Sequence, residues 1–243
     1  MTNLSVNLNA VAMLRNRRDI GWPSVTGIAR VVLQAGANGI TVHPRPDQRH
    51  IRDSDVGELA TMIRSEFPEA EFNIEGYPDQ RFLSLVKEAK PDQVTFVPDD
   101  PGQATSDHGW EIKKKSSMLK PVIAEMKSHG FRVVLFVDAD EKAPEQAMDV
   151  GADRIELYTG PFAAAFGSFE GEKQLALLAG AARAAKKVGM ELNAGHDLTL
   201  QNIPAFIGAL PDVAEVSIGH GITADALLMG FGEAVRRYRA LLS

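Results

Sequence analysis

The sequence of 243 residues contains no cysteine and few aromatic residues, among them only two Trp and three Tyr. The absence of cysteine excludes a disulfide framework, a thiolate zinc site and a cysteine nucleophile. The sequence also lacks an uninterrupted apolar stretch of ~18 residues, which a membrane-spanning helix requires. Its first residues, Met1–Val6, lack the basic and apolar segments of a signal peptide. We therefore expect a soluble cytoplasmic protein.

An excess of positive charge is absent as well. The sequence has 26 Lys and Arg against 32 Asp and Glu, a formal net charge of −6. This balance argues against nucleic acid or an anionic membrane as the main partner. A charged content of 24% and a hydrophobic content of 44% are typical of globular chains. No internal repeat or composition break indicates a second domain, so we expect one domain over residues 1–243.

Short apolar runs alternate with longer segments of helical period. The runs are rich in Val, Ile, Leu and Phe, as expected of parallel strands buried on both faces. The strand candidates are Leu4–Leu8, Gly39–His43, Glu71–Ile74, Gln93–Val97, Arg132–Val137, Arg154–Tyr158, Glu191–Asn193 and Glu215–Ile218. Eight strands alternating with helices in a chain of ~250 residues predict a (β/α)₈ TIM barrel. The alternative is a doubly wound open sheet, which usually shows fewer strands and often a Gly-x-Gly-x-x-Gly turn after the first.

Extra segments are expected around this barrel. The polar connection Pro98–Ser117 is typical of an active-site lid or of a mobile segment. The connection Gly160–Phe169 contains three Phe and predicts an extra helix that packs on the barrel or on a neighbouring subunit. The C-terminal segment predicts an amphipathic helix, because apolar residues recur at about one helical turn. These residues are Leu227, Phe231, Val235, Tyr238 and Leu242.

Catalytic residues of TIM barrels lie where the strands end and the following loops begin. Three of the six His residues lie at such ends, and a fourth, His50, follows the second strand. The polar residues at the strand ends are Asn7, Asn9, His43, Arg45, Glu75, Asp138, Asp140, Glu156, Tyr158, Thr159, Asn193, His196 and His220. Taken singly, His43 or His196 also fits a rim histidine bonded to a backbone carbonyl, and Glu75 a solvated loop residue. Glu156 should point into the barrel, where a carboxylate is costly unless it is paired or functional.

Two regions of the predicted mouth favour anions. Gly219-His220-Gly221 precedes a helix that should begin near Thr223, and a Gly-rich turn at a helix N-terminus commonly binds phosphate in barrels. A second, basic region follows the first two strands, with a solvated basic loop as the alternative interpretation. It comprises Arg15, Arg17, Arg18, Arg45 and Arg49. Together the two regions predict a substrate with two phosphates, or two phosphorylated substrates.

A metal site is the competing interpretation of several histidines near carboxylates. Barrel metallohydrolases usually carry a His-x-His pair at the end of the first strand, where this chain has Asn7-Leu8-Asn9. No lysine lies obviously at a strand end, which argues against a Schiff-base aldolase. We therefore expect neither a metal nor a cofactor.

At these residues the chain resembles the pyridoxine 5′-phosphate synthase family, barrel enzymes that close the vitamin B6 ring. The resemblance covers essentially the whole chain. The motifs that carry it are Val6-Asn7-Leu8-Asn9, Thr41-Val42-His43-Pro44-Arg45 with Arg49-His50-Ile51, Asn73-Ile74-Glu75, Ile155-Glu156-Leu157-Tyr158-Thr159-Gly160, Asn193-Ala194-Gly195-His196 and Ile218-Gly219-His220. It implies a metal-free condensation of 1-deoxy-D-xylulose 5-phosphate with 3-amino-2-oxopropyl phosphate by a homo-octamer built as a tetramer of dimers.

The resemblance also implies roles for individual residues. His43 would accept a proton, Glu75 would be a second acid/base group and His196 a proton donor. Glu156 would stabilise charge inside the barrel. The implied contacts of the amino-ketone phosphate are Asn7, Arg18, Gly219 and His220, and those of the deoxyxylulose phosphate are Arg45, His50 and Thr105.

Three further substrate-binding positions depart from the most familiar family pattern. Asn9 replaces a common Asp, Ala10 a common His, and Asp197 a common Gly after the Ala-Gly-His motif. Asn9 keeps the size and hydrogen bonding of Asp but loses its charge. Asp197 adds a negative charge beside a phosphate region.

Two other functions compete with the synthase. One is an isomerase or epimerase that acts on a single sugar phosphate. The other is a non-catalytic phosphate-binding barrel, against which the combination of His43, Glu75 and His196 argues.

Overall fold

The computed structural model describes residues 1–99 and 106–243, and over these residues eight parallel strands close into a barrel. Each strand pairs with the next in the chain, and β8 returns to pair with β1, where Ser5 opposes Ser217. The strands are β1 (Asn3–Asn7), β2 (Gly39–Val42), β3 (Glu71–Gly76), β4 (Gln93–Phe96), β5 (Arg132–Val137), β6 (Arg154–Tyr158), β7 (Glu191–Gly195) and β8 (Glu215–Ile218). The predicted (β/α)₈ TIM barrel is confirmed.

Helices of the described residues surround the barrel. They are α1 (Asn9–Arg15), α2 (Val25–Gln34), α3 (Asp53–Glu66), α4 (Gln80–Ala89), α5 (Ile112–Ser128), α6 (Ala143–Asp149), α7 (Gly160–Ala164), α8 (Phe169–Val188), α9 (Ile203–Ala209), α10 (His220–Met229) and α11 (Phe231–Leu241). The apolar core lies between the strands and these helices. β2, β4 and β8 are buried at every residue, because helices cover one face and the barrel interior the other.

The barrel interior is polar and arranged in layers. In a middle layer, Ser5 Oγ and Thr41 Oγ1 lie 2.7 Å apart, and Thr95 Oγ1 donates to Asn73 Oδ1 at 3.1 Å. Residues two positions further along a strand point to the same side, so Asn73 is followed on the inner face of β3 by Glu75. The polar layers therefore lead directly to the residues at the carboxyl ends of the strands.

The C-terminal segment departs from the prediction of one helix. It forms two helices, α10 and α11, which are separated at Gly230 with φ 79° and ψ 150°. Leu227, predicted on the core face, is 76% exposed. α10 also begins at His220, three residues before the predicted start near Thr223. The left-handed φ of Gly230 is readily adopted only by glycine and breaks the apolar pattern into two shorter helices.

The extra helix predicted between Gly160 and Phe169 is present as α7, with α8 beginning at Phe169. Phe162 is buried and packs against Phe206 of α9, with ring centroids 6.4 Å apart, whereas Phe169 is 83% exposed. Among the described residues, none of the helices combines the length and the apolar character needed to cross a membrane.

Candidate active site

A cavity of about 270 Å³ opens at the carboxyl ends of the strands. Its lining residues come from positions far apart in the sequence. They include every residue that the family resemblance placed in the catalytic or substrate-binding site, except Arg18 and Thr105. The predicted residues that line it are Asn7, Asn9, Ala10, His43, Arg45, His50, Glu75, Glu156, His196, Asp197, Gly219 and His220. Arg18 is exposed and is not among the lining residues. Thr105 lies outside the described residues.

His43 is buried just beyond the end of β2. Its backbone N–H donates to Asn9 Oδ1 at 2.9 Å, so the amide of Asn9 supplies the acceptor that an Asp would supply there. Its ring nitrogen Nε2 lies 3.7 Å from Asp99 Oδ2. Burial lowers the pKa of His43 well below its ordinary value, and the positive charge of Arg45 acts in the same direction. The ring is therefore neutral at neutral pH and able to accept a proton.

Glu75 lies on β3 and faces the cavity. Asn7 Nδ2 donates to Glu75 Oε2 at 3.3 Å. Burial raises the pKa of Glu75 from 4.5 to about 7, while His196 opposes this rise and the charge of Asp99 adds to it. At neutral pH the protonated and the ionised forms of this carboxyl group are therefore both populated, as an acid/base group requires.

Glu156 is buried on β6 between Ile155 and Leu157, both fully buried, and its side chain points into the cavity as predicted. Burial raises the pKa of Glu156 well above its ordinary value, and the nearby charge of Glu75 adds to the rise. Burial therefore favours the protonated, neutral form of this carboxyl group. Gly195 on the neighbouring strand β7 makes room for it, because a Cβ at Gly195 would lie 2.3 Å from Glu156 Oε1.

His196 follows β7 in a left-handed backbone conformation with φ 88°, and Asp197 follows with φ 57°. The ring of His196 meets that of Tyr158 edge-on at a centroid distance of 5.2 Å and lies 6.1 Å from that of Phe136. His196 Nδ1 lies 3.4 Å from Asp197 Oδ2. The hydrogen bond with His196 lowers the pKa of Asp197, which therefore carries its charge beside the ring.

The N-terminus of α10 lies at the same mouth. Gly219 precedes the first turn, and His220 is the first helical residue. A Cβ at Gly219 would lie 3.1 Å from the Cβ of Asn7, so glycine allows the end of β1 to pack directly against this turn. The unpaired backbone N–H groups of a helix N-terminus favour an anion.

His50 and Arg45, which follow β2, form another part of the mouth and are both buried. The backbone N–H of Ile51 donates to His50 Nδ1 at 2.9 Å. Burial, followed by the charges of Arg45 and Arg49, lowers the pKa of His50 to about 4. His50 is therefore neutral with its proton on Nε2, which makes Nε2–H available as a donor.

The prediction that Arg15 belongs to the basic, anion-binding region of the mouth is wrong. Its side chain does not face the cavity but is buried against Asp55, with Nη2 donating to Asp55 Oδ2 at 2.8 Å and to the carbonyl oxygen of His50 at 3.2 Å. Asn16 Nδ2 donates to the same carbonyl at 2.8 Å. Arg15 and Asn16 therefore hold the backbone that carries His50, and neither lines the cavity where a substrate phosphate would bind.

Sequence reasoning missed several lining residues. Met13, Val97 and Phe136 are apolar, Ser106 and Ser217 are small hydroxyl residues, and all five line the cavity. Their residue types carry no distinctive chemical signal. Asp99, whose carboxylate binds Arg45, lies three residues after β4 ends, and its position after a strand was the signal that could have found it.

A sequence profile of the family described as "Pyridoxal phosphate biosynthesis protein PdxJ" matches residues 4–243. The pyridoxine 5′-phosphate synthase of Brucella anthropi is 56% identical over 241 residues, which cover 99% of this chain and 98% of that protein. The pyridoxine 5′-phosphate synthase of Brucella abortus is 56% identical over the same share of both chains.

Solved structures show the same fold at much lower identity. The 3-keto-L-gulonate-6-phosphate decarboxylase of Vibrio cholerae aligns with a TM-score of 0.66 at 10% identity, over 99% of this chain and 97% of that one. Phosphoribosyl anthranilate isomerase of Thermotoga maritima aligns with a TM-score of 0.64 at 12% identity, over 100% and 98% of the two chains. From the profile match and the identity to the Brucella proteins over nearly its whole length, the chain belongs to the PdxJ family of pyridoxal phosphate biosynthesis proteins.

Proposed function

We propose that this protein is a pyridoxine 5′-phosphate synthase of vitamin B6 biosynthesis. It condenses 1-deoxy-D-xylulose 5-phosphate with 3-amino-2-oxopropyl phosphate to give pyridoxine 5′-phosphate, phosphate and water. The observation that carries this function is the 56% identity to proteins of that name over 99% of the chain. The convergence of His43, Glu75, Glu156 and His196 on one cavity supports it.

The protonation states of the cavity residues suit a reaction made of proton transfers. His43 is neutral and serves as the proton acceptor, because its pKa lies well below the ordinary value. Glu75, with a pKa of about 7, takes up or releases a proton at neutral pH at little cost. His196 serves as the proton donor from the opposite side of the barrel, at the end of β7.

Glu156 has a different role from Glu75. Because its carboxyl group is neutral, it donates a hydrogen bond to oxygen that gains negative charge during the reaction. A buried donor of this kind is effective because the surrounding protein excludes water and needs no reorganisation when the charge develops.

Two regions of the mouth suit the two phosphate groups. Gly219 and His220 at the N-terminus of α10, next to Asn7, bind the amino-ketone phosphate, with Arg18 as a further contact. Arg45 and the Nε2–H of His50 bind the phosphate of the ketose, with Thr105. Asn9, Ala10 and Asp197 also line the cavity and contact the substrates.

The function is tested by incubating the purified protein with both substrates and without added metal, and by following pyridoxine 5′-phosphate by mass spectrometry. We expect product only when both substrates are present. Turnover of either substrate alone would identify a sugar-phosphate isomerase or epimerase instead. No product, under conditions in which a reference synthase is active, would refute the proposal.

We also propose that the protein acts in the cytoplasm as a homo-octamer built as a tetramer of dimers. Large apolar side chains at the surface support self-association, because they lose contact with water when a second copy covers them. They include Ile20, Trp22, Phe169, Leu227 and Leu228.

A further inference from the structure

Asp99 makes polar contacts with two residues that line the cavity, Arg45 and Ser106. It is buried three residues beyond the end of β4. Its Oδ2 atom accepts hydrogen bonds from Arg45 Nη2 and, at 3.0 Å, from Ser106 Oγ. The same oxygen lies 3.7 Å from His43 Nε2. One carboxylate oxygen therefore contacts the proposed phosphate-binding arginine and faces the proposed proton acceptor.

Asp99 is an acidic group beside a histidine ring that is otherwise surrounded by basic groups. The charged and titratable groups that face the ring of His43 are Arg45, His50, His196, Arg81 and Asp99. All of these except Asp99 are basic, and burial further opposes a positive charge on the ring. When His43 takes a proton from the substrate, the imidazolium needs a negative charge close by. Asp99 supplies one at 3.7 Å from Nε2. Burial raises the pKa of Asp99, whereas the charge of Arg45 and the hydrogen bonds from Ser106 and Arg45 oppose that rise and favour the ionised carboxylate.

We propose, on the basis of the proposed function, that Asp99 is a positioning residue that orients Arg45 and supplies the negative charge opposite His43 while that ring carries the abstracted proton. The proton moves from the substrate to the ring of His43, and Asp99 remains ionised throughout. Asp99 acts through His43 and Arg45 and does not itself exchange a proton with the substrate.

The substitutions D99N and D99E separate charge from shape. Asn keeps an acceptor oxygen for Arg45 and Ser106 but removes the negative charge. For D99N we expect kcat to fall on the order of tenfold, with the KM of the ketose phosphate within about threefold of wild type. The acid limb of the kcat/KM profile should move to lower pH by about one unit, because His43 then holds a proton less well. D99E keeps the charge and should restore the position of the acid limb.

Asp138 offers a matched control at the same end of the barrel. It is exposed at the end of β5, and its Oδ1 accepts the backbone N–H of Gly109 at 3.0 Å. D138N removes one negative charge and should leave kcat and the acid limb at their wild-type values. Thermal unfolding of each variant checks that it is folded.

Two results would overturn the proposal. One is a D99N protein with wild-type kcat and an unmoved acid limb. The other is an equal loss of activity in D99N and D99E with the acid limb unmoved, which is the outcome of a merely structural role. An NMR titration of the His43 ring in wild type and D99N, without substrates, measures the charge pairing directly. If wild type forms no pyridoxine 5′-phosphate, the proposed function fails, whereas this titration still decides the role of Asp99.

Discussion

Among the single residues of the site, Glu75 allows the most direct test of acid/base catalysis. It is bonded to Asn7 and has a pKa raised by burial to about 7. E75Q keeps the size of the side chain and an oxygen for Asn7, but it can neither accept nor donate a catalytic proton. We expect kcat to fall at least ~10²-fold, while phosphate binding stays near wild type because the two anion regions are intact. Steady-state kinetics and calorimetric titration with inorganic phosphate measure the two effects.

The conservative variant E75D provides the matched control, because it retains a titratable carboxyl group at a shorter reach. It should keep more activity than E75Q. Turnover of E75Q at the wild-type rate would show that Glu75 is not an acid/base group.

Glu215 allows the effect of a raised pKa to be measured on stability alone, since it lies outside the cavity. It is buried on β8, where Gln93 Nε2 and Asn193 Nδ2 donate to its Oε1 at 3.2 and 3.3 Å. Burial raises the pKa of Glu215 from 4.5 to about 7. The folded state therefore binds more protons than the unfolded state between these two values, and stability falls as pH rises through this window.

E215Q removes this pH dependence and keeps an acceptor oxygen for both amides. Relative to wild type, we expect a gain in the free energy of unfolding of about 3 kcal/mol at pH 8 and little change at pH 4.5. Urea unfolding at the two pH values measures the difference. An equal effect of the substitution at both pH values would contradict the raised pKa. Glu75 is present in both proteins, and the charge of Glu215 is not among the causes of its raised pKa, so its titration cancels in the comparison. The charge of Glu215 does raise the pKa of Glu156, so the measured difference includes that part of the Glu156 titration.

At the scale of the element, the end of β7 depends on the absence of a side chain at Gly195. A Cβ there would lie 2.3 Å from Glu156 Oε1 and 3.2 Å from the carbonyl oxygen of Ser217. G195A should displace Glu156, lower kcat by at least ~10-fold and cost about 1–3 kcal/mol of stability. Activity assays and thermal unfolding test this.

Gly57 in α3 is the control for the same substitution. No atom lies within 4 Å of a Cβ placed there, and the residue is in the interior of the helix. G57A should leave activity unchanged and stabilise the protein by about 0.5–1 kcal/mol, because alanine favours a helix more than glycine does. If G195A kept the activity and stability of G57A, Glu156 would have moved away from the added Cβ without loss of activity or stability.

The elements also show what the sequence could predict. Strand boundaries differ from the predicted ones by at most two residues, because short buried strands read as continuous runs of Val, Ile, Leu and Phe. The break at Gly230 was missed because the apolar spacing continues from α10 into α11, and periodicity does not detect a single backbone rotation. Arg15 was wrongly predicted at the mouth. Its partner, Asp55, lies 40 residues further along the sequence, and the sequence does not show that the two side chains pair.

The same limit applies to the site. Parallel strands bring their carboxyl ends to one edge, so topology alone predicts that His43, Glu75, Glu156 and His196 converge. It does not predict which oxygen faces which nitrogen. The position of Asp99 after β4 places it at the mouth, but its contact with His43 follows from packing between loops, which the sequence does not specify.

At the scale of the whole molecule, the surface beside the cavity predicts how copies of the chain assemble. Leu227 and Leu228 on α10 are 76% and 87% exposed, and α10 packs against α1, where Leu14 is also exposed. Residues of both helices line the cavity, namely Met13 on α1 and His220 on α10. Apolar groups in this concentration favour burial by a second copy, so the sites of two copies would lie close together.

We therefore expect the protein to elute well above the mass of one chain, 26.3 kDa, in size-exclusion chromatography with light scattering. The double substitution L227E/L228E should shift it to smaller species, because four carboxylates in a twofold interface repel one another and lose their hydration. Met148, exposed on α6, provides the control: M148E adds charge to another face and should leave the assembly unchanged. If L227E/L228E keeps the wild-type mass, the chains associate through a different surface. If L227E/L228E forms smaller species and also loses activity, the association of the chains is needed to keep the cavity beside α1 and α10 in its active form.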